Sequence, residues 1–201
     1  MVTGIVVYPF AAALAVLVAW RAARGGQPAF VVAMRVLFVL YLGWVVGATL
    51  FPLPVRPGVA GLEAAGQHVA VGLVPLASIR DVLVNGPPFA QVWILGGNVC
   101  TMIPFGLLLP FSAPRLATWP RMSVAALLFP LGIESAQLAV SLALGYSYRV
   151  TEVDDVLLNF AGILLGFALY LVLRGRLSAP LAPAARDARE RGRRSRCREV
   201  H

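Results

Sequence analysis

The sequence predicts an all-α protein: a polytopic transmembrane bundle of about five helices, with an interfacial or re-entrant segment in one long outer loop. Two observations carry this. Of the 201 residues, 59% are hydrophobic and 13% charged, and the mean hydropathy is +0.81, which rules against an ordinary water-soluble core. The apolar residues also gather into runs near the ~20 residues that a bilayer crossing needs.

Five such runs follow one another: Thr3 to Trp20, Phe30 to Phe51, Val92 to Phe111, Met122 to Leu144 and Val156 to Leu173. At ~1.5 Å per residue each covers a hydrocarbon layer of ~30 Å, the first and last only just. Arg21 and Arg24 follow the first run, Pro52 and Pro54 close the second, and Arg174 and Arg176 end the last. The first run has no positive charge before it, so it reads as a membrane helix and not as a cleaved leader.

Charge sets the expected orientation. Arg21, Arg24, Arg115, Arg121 and the C-terminal cluster fall on one side, whereas the other holds Arg56, Arg80 and Arg149 among Glu63, Asp81 and further acids. The excess of arginine belongs in the cytoplasm, which places the N-terminus outside and the C-terminus inside. The tail from Arg174 carries nine arginines against Asp187, Glu190 and Glu199, so it holds +6 of the chain's +8. With Pro180, Pro183 and no apolar face, residues 174–201 read as a disordered basic tail beside anionic lipid. The pI near 10.7 does not indicate nucleic acid here, because no aromatic or motif signal accompanies the arginines.

Residues 52–91 form the long outer loop. Its middle, HVAVGLVPLASIRDVLVNG, is apolar but interrupted by Pro75, Ser78, Arg80 and Asp81, so it reads as a segment on the outer face and not as a sixth crossing. His68 there is read as incidental. Cys100 lies within the third span and Cys197 in the tail, so no intrachain disulfide is expected. No cofactor and no metal set is implied.

The polar residues inside the spans are the candidate site. Asn98 lies about 9 Å below the outer surface by helical rise. Gln137 and Glu134 approach the midplane on the fourth span, and Asp155 and Asn159 stand at the mouth of the fifth. At ~100° per residue, Glu134, Gln137 and Ser141 share one face, as do Asp155, Asn159, Gly162 and Gly166. A carboxylate at the depth of Glu134 is costly unless bonded or protonated, which makes it a functional candidate or a helix-to-helix hydrogen-bond partner of Asn98 or Gln137. Arg149 is read as a salt bridge to Asp155 or as a ligand contact. Glu152 and Asp154 read as solvated loop charges. Gly162 and Gly166 permit close approach of a neighbouring helix.

Three elements in order, NVCTMIPFGLLLP from Asn98, IESAQ from Ile133, and RVTEVDDVLLNFAG from Arg149, resemble the VanZ-like membrane proteins. The shared features are an Asn followed by Pro104-Phe105-Gly106, a Glu-x-x-Gln pair at Glu134 and Gln137, and the series Arg149, Asp155, Asn159, Gly162. With YLGWVVGATLFPL and VGLVPLASI, the resemblance covers about residues 38–172. Gly72 departs from it, standing where an Asn is expected. The resemblance implies three parts: an extra N-terminal helix and basic loop over 1–29, a VanZ-like domain over 30–173, and the tail. Helix packing is expected at Pro104, Gly106, Gly162 and Gly166.

The family is named for an accessory factor in resistance to teicoplanin, a glycopeptide antibiotic acting at the outer face of the membrane. The resemblance implies a multi-pass protein of the bacterial cell membrane. Three functional readings stay open. In the first, Asn98, Glu134, Gln137, Arg149, Asp155 and Asn159 line an outward pocket for a lipid, a lipid-linked cell-wall precursor or a lipophilic glycopeptide antibiotic. In the second, Glu134 and Asp155 are the acid and base of an intramembrane enzyme acting on a lipid-linked substrate. In the third, the polar cluster only locks helices together in a structural subunit. The orientation is directly testable: with Cys100 and Cys197 replaced, a cysteine introduced beside Arg149 is expected to react with an impermeant reagent on intact cells. Reaction only after permeabilisation would reverse the orientation.

Overall fold

A computed structural model describes residues 3–53 and 69–178. His68, Arg56, Glu63 and the basic tail beyond Ser178 lie outside the described residues. Apolar runs of this length have one way to satisfy their backbone amides in hydrocarbon, the helix, and five helices are long and apolar enough to cross a membrane. They are α1 (Val7–Arg24), α2 (Ala29–Leu50), α4 (Pro88–Ser112), α5 (Trp119–Leu144) and α6 (Val153–Ser178). Between α2 and α4 the chain makes a two-residue strand, β1 (Val71–Gly72), and a nine-residue helix, α3 (Ala77–Asn85). β1 pairs in parallel with β2 (Thr151–Glu152), just before α6.

The outward faces confirm the solvent. Phe10 is 77% exposed, Val16 70%, Leu128 62% and Leu165 55%, apolar area that water would not support over three helices but acyl chains do. The chain is a multi-pass membrane protein.

Several helices overrun their apolar cores. α1 continues through Arg21 and Arg24, cations that suit the negative end of a helix, and the Arg24 guanidinium stacks 4.0 Å above the Trp20 ring. α6 starts at Val153 and runs to Ser178. Asp154 and Asp155 therefore lie in its first turn, where the helix dipole favours anions. The apolar run marks the hydrocarbon boundary, but hydrogen bonding lets the helix pass through it.

The core lies between α4, α6 and α2, with α5 closing the side. Phe105 stacks on Phe129 at 4.2 Å and meets Phe38 edge-on at 5.6 Å. Phe167 and Ile163 are fully buried against Met102 and Met122. α4 and α6 make the most extensive contact in the bundle, and three glycines make it possible. A Cβ on Gly106 would strike the carbonyl oxygen of Ile163; one on Gly162 would strike that of Val99; one on Gly166 would strike that of Ile103. Backbones that close leave no room for any side chain. Pro104, half-buried inside α4, adds rigidity to the same stretch by fixing φ.

α1 docks on α2 by the same device, with Gly43 of α2 against Ala11 and Gly47 against Gly4. Where the seam is absent, so is the constraint: a Cβ on Gly132 meets nothing within 4 Å. Gly166→Val is therefore expected to destabilise the bundle by about 1–3 kcal/mol or more through overpacking, while Gly132→Val is tolerated. Thermal unfolding in detergent and membrane abundance of the two variants check this. Equal behaviour would show that α4 and α6 do not meet at this seam.

Candidate functional site

Connectivity brings the last turns of α2 and α5 and the first turns of α4 and α6 to one end of the bundle, with α3 and the β1–β2 pair. Every buried polar side chain of the described core, namely Glu134, Gln137, Ser141, Asp154 and Asn159, belongs to α5 or α6. Each has to be satisfied locally, since hydrocarbon offers no partner.

Asn98 and Asp155 find each other. Asn98 Nδ2 donates to Asp155 Oδ1 at 2.7 Å, directly beyond the Gly162–Val99 contact in sequence. Both line a cavity of about 980 Å³. Ser78, Asp81 and Val82 of α3 form one wall, Trp93 and Ile94 of α4 another, and Trp44, Val150 and Glu152 complete it. The first part of α4, Gln91–Gly96, is wound as a π-helix. π-helical turns are rare and recur at functional sites; this one carries two of the apolar lining residues.

The remaining candidates are placed elsewhere. Gln137 Nε2 donates to the Thr49 carbonyl at 2.9 Å, and Arg149 Nη2 to the carbonyls of Ala48 and Phe51 at 3.0 and 3.2 Å. Both side chains thus complete the C-terminus of α2, whose last carbonyls have no helical partner and whose dipole favours a cation. Arg149 spends its bonds on this helix end and not on Asp155. Glu134 is buried beneath β2, where its Oε2 accepts the Glu152 N–H at 3.2 Å. Its partner is a backbone amide, not Asn98 or Gln137. Asn159 is buried one turn below Asp155, and its Oδ1 has no partner among the described residues. The six residues therefore do not line a single cavity: Asn98 and Asp155 do, Gln137 and Arg149 seal the end of α2, Glu134 holds the Glu152 amide, and Asn159 is buried deeper in α6.

Asp154 corrects the expectation of a solvated loop charge, since only 3% of it is exposed. Its Oδ1 accepts the Leu76 N–H at 2.5 Å and its Oδ2 the Ile79 N–H at 3.0 Å. These are the first amides of α3, which has no side-chain cap of its own because Leu76 stands at its N-cap in the left-handed region, φ 65°. Gln91 holds the other end, its Nε2 donating to the carbonyls of Leu83 and Gly86. α3 buries no residue, so polar clamps and not a core fix it over the cavity. Glu152 is likewise drawn into the site. Its backbone pairs with Gly72, and a Cβ on Gly72 would lie 3.3 Å from the Glu152 Cγ. Nothing local in the sequence marks the clamps, because each joins residues more than seventy positions apart, apart from Gln91.

Among the described residues no group of three or more His, Cys, Asp or Glu is placed to hold a metal ion. The family model of VanZ/LLP1 proteins matches residues 38–174. The chain belongs to the VanZ/LLP1 family. Comparison with curated proteins and with solved structures finds no match. The VanZ/LLP1 segment contains every residue lining the cavity and all three glycines of the α4–α6 seam, while α1 precedes it.

The clamp gives a local prediction. Asp154→Ala removes the cap of α3, a loss of about 1–2 kcal/mol. Amide exchange at Leu76 and Ile79 is expected to quicken by roughly tenfold, with the interior of α6 unchanged. Unchanged exchange at both amides would mean that α3 is held by something other than Asp154.

Proposed function

We propose that this VanZ/LLP1 protein binds an amphiphile at the cavity between α2, α3 and α4, holding a polar head against Asn98 and Asp155 and an apolar part against Trp44, Trp93 and Ile94. The cavity is the observation that carries the reading: about 980 Å³ with carboxylates and an amide beside indole and aliphatic walls. That is the composition of a site for a ligand with one polar and one apolar part. In the orientation expected from the arginines, the cavity opens at the outer leaflet, where a lipid, a lipid-linked cell-wall precursor and a lipophilic glycopeptide all present their heads. Sequestration of such a ligand there is how the protein would contribute to teicoplanin tolerance. Glu134 does not line the cavity, so it enters as a positioning residue that holds Glu152 through its backbone amide, and not as half of an acid–base pair.

Filling the cavity tests the reading. Ser78→Trp adds bulk to an exposed helix that buries no side chain, so membrane abundance is expected to stay normal. Binding of labelled teicoplanin or labelled lipid-linked precursor to the purified full chain is expected to weaken at least about tenfold, a loss of about 1.4 kcal/mol. Undiminished binding at normal abundance would move the ligand elsewhere. A host whose tolerance is the same with and without the wild-type chain would remove the resistance role.

A further inference from the structure

The charged side chains lining the cavity are all carboxylates, and from this we infer that its ligand carries a protonated amine. The inference rests on the binding reading above and specifies the head group. Three carboxylates line the cavity, those of Asp81, Glu152 and Asp155, and no arginine does among the described residues. Asn98 gives one of its two amide N–H groups to Asp155, and its carbonyl oxygen makes no hydrogen bond among the described residues. Asp81 receives one bond, from Asn85 Nδ2 at 2.7 Å. Of the two described arginines of this end, Arg149 is committed to the end of α2, and Arg80 lines a separate, largely apolar groove along α3.

Carboxylates alone would set only the sign of a local field. What makes this a site is that the same cavity is walled by two indoles, Trp44 and Trp93, which attract a cation through the faces of their rings. A head that brings N–H donors and positive charge satisfies both walls at once. A phosphate or pyrophosphate head brings more acceptors and negative charge into a lining that already has both, and is repelled. Val150 and Ile94 extend the lining with apolar surface for the part of the ligand that adjoins the head.

Cys100, exposed and on the cavity lining, serves as the reporter. The full chain, with Cys197→Ser, is placed in nanodiscs whose lipid, phosphatidylglycerol, carries no amine. Maleimide labelling of Cys100 is timed with dodecylammonium, dodecanol, dodecyl phosphate or butylammonium. Dodecylammonium is expected to slow labelling by about fivefold or more, and the neutral and anionic amphiphiles by less than about twofold. Glu152→Gln and Asp81→Asn are each expected to reduce the protection by dodecylammonium.

Equal protection by dodecanol or dodecyl phosphate would overturn the amine inference while leaving amphiphile binding in place. Protection by butylammonium at the same concentration as dodecylammonium would keep the amine and overturn the amphiphile, assigning a soluble amine as the source. Protection by none of the four, or a Cys100 that fails to label without ligand, would overturn both.

Discussion

The close approach of α4 and α6 is the constraint on which the rest of the structure depends. Gly106, Gly162 and Gly166 let two backbones touch where a single methyl group would meet a carbonyl oxygen. In a bilayer no hydrophobic force drives helices together, so this gain in packing has to come from proximity itself. Once the two helices are locked, Phe167 and Ile163 are enclosed by α4, α5 and α2, and the position of Asn98 opposite Asp155 follows. The hydrogen bond between them is the first polar contact beyond the seam, and the cavity begins there.

A second constraint governs the polar end. Helix termini leave amides and carbonyls without partners, and two of them here are satisfied by side chains distant in sequence. Gln137 and Arg149 complete the end of α2, and Asp154 caps the start of α3. This accounts for much of the polarity buried in the spans by backbone chemistry alone. What remains is the acidic lining of Asp81, Glu152 and Asp155, whose side chains complete the end of neither α2 nor α3, and it is this remainder that the proposed amine ligand would meet.

α3 shows how such a device shapes a site. It buries nothing, and its free surface is apolar at Leu83 and Val84, yet it forms a wall of the cavity because Asp154 and Gln91 grip its two ends. α1 is attached on different terms, by small residues packed on Gly43 and Gly47 of α2. It lies before the VanZ/LLP1 segment and contributes no cavity residue.

The amino-acid sequence by itself determined the all-α class, the five crossing helices and the family, because each rests on local composition, run length and motif order. It also brought Asn98, Glu134, Gln137, Arg149, Asp155 and Asn159 into view, since polar groups in apolar runs stand out by their cost. Only the tertiary structure decided what each one does. Helical phase places a residue on a face but says nothing of which helix ends that face will meet, and so Arg149 went to α2 carbonyls and Glu134 to a backbone amide. Glu152 and Asp154 look like solvent-exposed charges when read along the chain. Pairing with β1 and capping of α3 draw them inward, because both partners arrive from a segment more than seventy residues earlier.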